Sequence, residues 1–270
     1  MRLAHLGPPG TFGEAAALAW APSAELVPAQ SHAAVVDAVS SGRADAGVLA
    51  VENSLEGSVS ESLDLLIHDT ELCITGEVVV PVEHCLIAAR GTSIERVSVV
   101  YSHPQALAQC RKYLERALPS ARLEATLSTV AGVERALAEP AAAAIAAARA
   151  AERFGAEILA AGIQDRSGNV TRFVVVADAD AAPTGRDKTS LAFKTAHDRP
   201  GTLVEVLGEL SSRGVNLTKI ESRPSRDALG IYVFLVDLEG HRGDALVAQA
   251  LERVRAKTSW LKVFGSYPRA

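Results

Sequence analysis

Four polar clusters in this sequence have the residue types that bind small anions. In the first, residues 7–12 (GPPGTF), Gly10 and Thr11 stand immediately before a predicted helix. Free backbone amides and the positive end of the helix dipole make such a turn a site for carboxylate or phosphate groups. Glycine also lets the backbone approach a ligand closely. A purely structural turn is the alternative explanation.

Two further clusters follow apolar segments in the same way. Residues 52–59 (ENSLEGSV) contain more polar groups than the capping of one helix requires, which makes Asn53 and Ser54 candidates for ligand contact. Residues 102–105 (SHPQ) open another predicted helix. The candidates there are Ser102, His103 and Gln105. Helix capping at the protein surface is the alternative in both places.

The fourth cluster, residues 167–173 (SGNVTRF), leads into an apolar strand. Arg172 at the mouth of that strand needs an anionic partner, because an unpaired buried charge is costly. A carboxylate bound through two parallel hydrogen bonds is the natural ligand of a guanidinium group. A salt bridge within the protein is the alternative.

Composition limits the chemistry that these clusters can serve. Of the 270 residues, 48% are hydrophobic and 22% are charged, as in ordinary globular proteins. A net charge of -5 without a basic stripe, together with only 4% aromatic residues, argues against a nucleic-acid partner. No apolar run is long enough for a membrane span, and no leader peptide is recognisable, so we expect a cytoplasmic protein.

The sequence also lacks the common motifs of cofactor and metal chemistry. It contains no G-x-G-x-x-G, G-x-x-x-x-G-K-[ST], H-E-x-x-H or G-x-S-x-G pattern. Its three cysteines, Cys73, Cys85 and Cys110, include no C-x-x-C pair, which predicts reduced, partly buried thiols. We therefore expect neither a cofactor nor a metal.

Short apolar runs alternate with helical patterns over the first 180 residues, which is typical of an α/β protein. Strands are predicted at residues 3–6, 46–51, 72–80, 85–89, 97–101, 143–146 and 173–177. Helices are predicted to begin near Thr11, Ser31, Val59, Pro104, Ser128 and Ala147.

A weak internal repeat predicts two similar lobes in this region. Residues 31–48 and 128–145 align without a gap, each as a helix followed by a short apolar segment. We predict one lobe from residues 1–80 plus 168–180 and the other from residues 81–167, with a ligand cleft between them. Chance similarity of α/β segments is the alternative.

The pattern changes after a linker predicted at residues 181–187, which lack periodicity. Residues 188–270 predict strands and helices in the order βαββαβ, which is typical of a ferredoxin-like module. The strands are predicted at residues 188–196, 215–223, 231–238 and 260–267, and the helices at residues 200–213 and 244–255.

Together, the four clusters resemble those of the prephenate dehydratase family. The matching segments are residues 7–12 (GPPGTF), 52–59 (ENSLEGSV) followed by Ser62, Leu63 and Asp64, 102–110 (SHPQALAQC) and 169–173 (NVTRF). The resemblance covers nearly the whole chain, although Gly13 replaces a frequent serine and Ser62 a usual threonine. It implies a two-lobed, periplasmic-binding-protein-like catalytic region in residues 1–180.

The activity that this resemblance implies is the lyase reaction that converts prephenate to phenylpyruvate, water and carbon dioxide in L-phenylalanine biosynthesis. Aromatisation drives the reaction, so the site has mainly to orient two carboxylates and help a hydroxyl group leave. Thr171 matches the threonine that the family needs, and we expect it to donate a hydrogen bond to the departing hydroxyl. Glu52 or Glu56 is the expected proton source behind it. The implied substrate-binding residues are Gly10, Thr11, Asn53, Ser54, Ser102, His103, Gln105, Asn169, Arg172 and Phe173.

Within residues 188–270, two segments resemble the phenylalanine-binding ACT domain. They are residues 199–204 (RPGTLV), where Thr202 replaces a usual alanine, and residues 221–224 (ESRP). Such domains pair edge to edge, which implies a homo-oligomer, a dimer of dimers, with L-phenylalanine as allosteric effector. The implied effector site consists of Gly201, Thr202, Leu203, Val204, Asn216, Leu217, Glu221, Ser222, Arg223 and Pro224. A plain structural module is the alternative.

Two other functions fit the same sequence. One is arogenate dehydratase, whose substrate bears an amino group in place of the ketone of prephenate. The other is a two-lobed amino-acid-binding sensor without catalytic activity, because the predicted lobes and cleft also suit a solute-binding protein.

Overall fold

The computed structural model describes residues 1–226 and 230–270. The strands of this part are β1 (Arg2–Leu6), β2 (Glu25–Ala29), β3 (Ala46–Asn53), β4 (Gly57–Ser58), β5 (Cys73–Pro81), β6 (Cys85–Ala88), β7 (Val99–Ser102), β8 (Arg122–Ala125), β9 (Ala142–Ala146), β10 (Glu157–Ala160), β11 (Val170–Ala177), β12 (Asp187–Thr195), β13 (Leu217–Pro224), β14 (Tyr232–Glu239) and β15 (Thr258–Pro268). The α-helices are α1 (Phe12–Trp20), α2 (His32–Ser40), α3 (Ser60–Asp64), α4 (Pro104–Gln109), α5 (Arg111–Ala117), α6 (Thr129–Leu137), α7 (Ala148–Phe154), α8 (Thr202–Ser211) and α9 (Ala245–Ala256). A π-helix, Leu65–Asp69, continues α3, and a 3-10 helix spans Ile94–Arg96.

The strands form three sheets. The first has the order β2-β1-β3-β11-β5, with the short β4 paired antiparallel to β3. The second has the order β10-β6-β9-β7-β8, in which β7 runs parallel to both β8 and β9. The third has the order β13-β14-β12-β15 and is antiparallel throughout. Its element order is βαββαβ, so the predicted α/β class and the ferredoxin-like module are confirmed.

The chain divides into two compact units, and the first comprises residues 1–35, 48–59 and 79–173. The second of the three sheets lies in this unit, and helices cover both of its faces. Alternate residues of β6 and β7 pack with α6 and α7 on one face and with α4 and α5 on the other. This arrangement explains why β9 (AAAIA) is buried at every position, as expected for a strand between two helical layers.

The second compact unit comprises residues 36–47, 60–78 and 174–270. Helices α8 and α9 bury their apolar faces against the third sheet around Leu191, Val206 and Leu251. In β15, a Cβ atom at Gly265 would lie 2.2 Å from the carbonyl oxygen of Ile74, so the close approach of these backbones requires glycine. The domain boundaries inferred from the sequence stay a prediction.

The predicted elements of the first 180 residues appear with shifted ends, and the internal repeat has a structural counterpart. Helices α2 and α6 each have nine residues and begin at equivalent positions of the two aligned segments, and β3 and β9 follow them. The sequence analysis missed three sheet-edge strands, β2, β8 and β10. Edge strands are half exposed and bear charged residues, so they lack the apolar runs from which the other strands were predicted. Within the described ranges, no helix has the length and apolar character that crossing a membrane requires.

Candidate functional site

The last residue of β3 and the residues at the start of β11 form a buried polar network. Asn53 Nδ2 donates to Asn169 Oδ1 at 2.8 Å and to Thr171 Oγ1 at 2.9 Å. All three side chains are buried. The apolar residues of β3 and β11 bring these side chains together, because the two strands are neighbours in the first sheet. The structure therefore brings three of the predicted site residues into direct contact.

Backbone groups fix the orientation of the Asn53 amide. Its Oδ1 accepts hydrogen bonds from the amides of Leu55 and Glu56, both at 3.0 Å, so its Nδ2 must point toward Thr171. Ser54 joins the same network, because its Oγ accepts from the Val170 amide at 3.0 Å and donates to Asn169 Oδ1 at 3.3 Å. The polar groups of the ENSLEGSV segment thus serve more than helix capping.

The network extends to two residues that the sequence analysis did not name, Gln109 and His84. Gln109 Oε1 accepts from Asn169 Nδ2 at 3.3 Å and lies 2.9 Å from His84 Nε2. Gln109 Nε2 donates to Glu56 Oε1 at 3.2 Å. Gln109 stood inside the matching segment SHPQALAQC, so that motif was a signal for it. A single histidine before an apolar run gives no comparable signal for His84.

Arg172 lies on the other face of the same strand pair. Successive side chains of a strand point to opposite faces, and Arg172 contacts Glu52 (Nη1 to Oε2, 3.7 Å) while Thr171 contacts Asn53. The arginine was predicted to bind the substrate next to Thr171. In the structure, strand alternation places the Arg172 side chain on the opposite face from Thr171, where it pairs with Glu52. Binding of the substrate by Arg172 stays a prediction.

The Gly/Pro turn is also occupied by contacts within the chain. The Gly10 amide, predicted to hold a ligand, donates to Glu14 Oε2 at 2.9 Å, and Arg149 Nε donates to the same oxygen at 2.7 Å. Burial alone would raise the pKa of the Glu14 carboxyl, but these hydrogen bonds outweigh it and hold the pKa below its ordinary value. Thr11 is the N-cap residue of α1, but its hydroxyl makes no capping hydrogen bond and instead donates to the Leu6 carbonyl at 3.3 Å. The turn therefore stabilises the start of α1.

Of the four other predicted substrate-binding residues, three are buried or bonded within the protein and one is exposed to solvent. The Ser102 hydroxyl is fully buried and donates to the Ile145 carbonyl at 2.6 Å, so its predicted ligand contact stays a prediction. His103 caps α4 by accepting from the Gln105 amide at 3.3 Å, as its structural alternative predicted, and Gln105 is exposed. Phe173 is buried on the same face of β11 as Thr171.

The network offers hydrogen-bond chemistry rather than a ready nucleophile or a metal site. Its members are neutral amides and hydroxyls, with the Glu56 carboxylate at its exposed end. Across residues 1–226 and 230–270, no group of three or more His, Cys, Asp or Glu side chains is arranged to hold a metal ion. Buried donors and acceptors of this kind can orient a polar substrate and stabilise charge that develops on an oxygen atom.

The predicted effector-site residues lie in the second compact unit, around the start of α8 and along β13. Gly201 is exposed with φ of 88°, a left-handed conformation that favours glycine, and Val204 is 71% exposed. Asn216 is exposed just before β13, and Ser222 and Pro224 are exposed along this edge strand. These groups are accessible to an effector.

Other residues of the predicted effector site make contacts within the second unit. The buried Thr202 hydroxyl donates to the Arg199 carbonyl at 2.9 Å. Leu203 and Leu217 pack at the edge of the sheet core. Glu221 lies 3.5 Å from the Arg223 guanidinium, whose Nη2 donates to Asp64 Oδ1 at 2.9 Å. Arg223 therefore connects β13 to α3.

Two family models together match most of the chain. The model of prephenate dehydratase matches residues 3–181, and the model of the ACT domain matches residues 189–256. A bifunctional chorismate mutase/prephenate dehydratase of Aquifex aeolicus is 45% identical over 100% of this chain and 74% of its own length.

Two further proteins are similar over nearly the whole chain. The chloroplastic arogenate dehydratase 5 of Arabidopsis thaliana is 42% identical over 99% of this chain and 67% of its own length. The crystal structure of a prephenate dehydratase from Arthrobacter aurescens, in complex with L-Phe, superposes with a TM-score of 0.91 at 37% identity, covering 100% of this chain and 90% of that one.

Proposed function

Since the chain belongs to the prephenate dehydratase family, we propose that it converts prephenate to phenylpyruvate, carbon dioxide and water. The observation that carries the proposal is the Thr171 hydroxyl. Its oxygen accepts from Asn53 Nδ2 at 2.9 Å, while its own proton has no acceptor within residues 1–226 and 230–270. The hydroxyl is therefore able to donate to an oxygen atom of a bound substrate.

The reaction breaks two bonds and consumes one proton. The bond between the ring and its hydroxyl oxygen breaks with both electrons leaving on oxygen, which takes up a proton and departs as water. The bond between the ring and its carboxylate then supplies its electron pair to the ring, and carbon dioxide leaves. A hydrogen bond from Thr171 to the departing oxygen stabilises the charge that develops there.

The other network residues have positioning roles in this proposal. Asn53 orients the Thr171 hydroxyl, Asn169 accepts from the Asn53 amide, and Ser54 donates to the Asn169 side chain. The Glu56 carboxyl, which accepts from Gln109, is the acid closest to this network by hydrogen-bond connection and is the proposed proton source. A weak hydroxyl acid such as threonine cannot supply a free proton readily at neutral pH, so a second acid is needed.

We propose further that L-phenylalanine binds the exposed groups at Gly201, Asn216 and β13 and regulates turnover from there. Support comes from the ACT-domain match and from the L-Phe complex of the Arthrobacter protein. The exposed edge of β13 suits pairing with a second copy of the chain. A homo-oligomer built as a dimer of dimers is an expectation from the family resemblance, and a cytoplasmic location is an expectation from the sequence.

Arogenate is the second candidate substrate, because an arogenate dehydratase is 42% identical to this chain. The purified protein should be incubated with each substrate in parallel, and the products followed as phenylpyruvate absorbance in alkali and as phenylalanine. We expect turnover of prephenate with a kcat/KM well above that for arogenate. The reverse ratio would assign the chain to arogenate, and turnover of neither would favour the amino-acid sensor.

A further inference from the structure

His84 is a buried histidine that touches the reaction network and has no role in the proposed chemistry so far. It lies between β5 and β6 and is 3% exposed. Its backbone is fixed on both sides, because its amide donates to Gln164 Oε1 and its carbonyl accepts from the Ile163 amide, both at 3.0 Å. The Phe12 ring packs edge-on against the imidazole with ring centres 5.9 Å apart.

The hydrogen-bond directions in the network determine which imidazole nitrogen carries the proton. The backbone amides of Leu55 and Glu56 fix Asn53, so that Asn169 presents Oδ1 to it and Nδ2 to Gln109. Gln109 must then accept through Oε1, and its Nε2 faces the Glu56 carboxylate. Because Gln109 Oε1 is only an acceptor, the 2.9 Å contact requires a proton on His84 Nε2.

The second nitrogen of His84 completes the assignment. Nδ1 is buried and has no hydrogen-bond partner in the part of the chain that the structure describes. A proton on Nδ1 would be a buried donor without an acceptor. The free-energy cost of that state is higher than the cost of leaving the Nδ1 lone pair unpaired. Burial lowers the pKa of His84 and outweighs the opposing effect of the Gln109 hydrogen bond, so the neutral imidazole is favoured.

We propose that His84 is a positioning residue for the reaction: its Nε2 proton holds the Gln109 side chain between Asn169 and the Glu56 carboxyl, the proposed proton source. The inference rests on the proposed function. His84 lies two hydrogen bonds from Glu56 and three from Asn53, so it touches no reacting atom. Its contribution is to keep Gln109 Nε2 donating to Glu56 while Gln109 Oε1 accepts from Asn169.

The test compares two substitutions that differ in one donor. His84→Leu fills the site without a donor, whereas His84→Gln places an amide NH2 group near the position of Nε2. We expect kcat for prephenate to fall about 10- to 100-fold in His84→Leu with KM changed less than about 3-fold, because misplaced catalytic groups slow the chemistry. His84→Gln should recover most of that loss. His68→Leu, at an exposed histidine, is the matched control.

A nitrogen NMR measurement on the intact wild-type protein gives a readout that does not depend on activity. We expect the His84 Nε2 resonance in the protonated range and the Nδ1 resonance in the unprotonated range at neutral pH. The opposite tautomer or an imidazolium ion would overturn the proposal. So would a result in which His84→Gln loses as much kcat and as much melting temperature as His84→Leu. A wild-type protein that converts neither prephenate nor arogenate would instead defeat the proposed function, and the tautomer measurement would still stand.

Discussion

The reaction network and the effector residues differ in how their polar groups are satisfied. Asn53, Asn169 and Thr171 are all less than a tenth exposed and bond to one another. Gly201 and Asn216, in contrast, are exposed. A buried polar network must be satisfied within the chain, whereas exposed groups are available to a ligand or another surface. The comparison supports a preorganised site for the proposed reaction and a proposed effector site that is completed on binding.

The first way to break this comparison is to remove the Thr171 hydroxyl. We expect Thr171→Ala to lower kcat by about 10² to 10⁴, the usual effect of losing a positioned proton or hydrogen-bond donor. Thr171→Ser should retain more activity because it keeps the hydroxyl. Thr258→Ala, which removes an exposed hydroxyl bonded to the Arg255 carbonyl, is the control for the substitution itself. An unchanged kcat in Thr171→Ala would remove the residue from the mechanism.

The second way is to alter the exposed effector groups. We expect Asn216→Ala to weaken inhibition by L-phenylalanine about 5- to 150-fold, the ordinary range of allosteric coupling, while basal turnover stays within about 2-fold. Gln249→Ala removes an exposed amide on α9 and should change neither quantity. Gly201→Leu should have the same effect as Asn216→Ala, with added backbone strain because φ is 88°. Full sensitivity in Asn216→Ala would move the effector elsewhere.

Deletion of residues 188–270 is a less suitable test than these point variants. Lys188 Nζ lies 2.8 Å from both oxygens of the Glu77 carboxylate, and Arg223 pairs with Asp64. Truncation after Asp187 would leave both carboxylates without these partners, and an unpaired buried carboxylate is costly. A loss of stability would therefore accompany the truncation.

The third and smallest effect concerns Arg172. With Glu52 as its partner on the far face of the strand pair, we expect Arg172→Lys to leave KM within about 2-fold. The ion pair is partly exposed, so the loss of stability should be about 1 kcal/mol or less, or a few degrees in Tm. Arg111→Lys changes a pair whose side chains are 66% and 62% exposed and is the matched control. A large rise in KM without a change in Tm would restore the substrate clamp predicted from the sequence.

The sequence could predict the elements whose residue patterns are strong. The apolar run of β3 and the polar residues at its end indicated a site that includes Asn53, the family resemblance implied Thr171, and the structure joins these two side chains. The βαββαβ order of residues 188–270 was equally readable, because its helices and strands differ clearly in period.

The other features of the candidate site depend on contacts between residues that are distant in the sequence, and the sequence alone could not predict them. Ser102 has the same residue type as a ligand-binding serine, but it is buried against Ile145. Whether a hydroxyl faces a ligand or a core carbonyl depends on which side chains pack over it, and residue type does not encode that. His84 shows the opposite case, since only its 2.9 Å contact with Gln109 gives it a role.

The most direct test of two separate sites is a titration of the inactive Thr171→Ala protein with L-phenylalanine at several fixed prephenate concentrations. Because this variant consumes prephenate about 10² to 10⁴ times more slowly, short calorimetric titrations can measure the affinity for L-phenylalanine before much prephenate is lost. Distinct sites predict that the apparent Kd reaches a plateau as prephenate rises, at most about 150-fold above its starting value, since an allosteric coupling energy is finite. An apparent Kd that rises in proportion to prephenate without limit would mean that both ligands occupy one site.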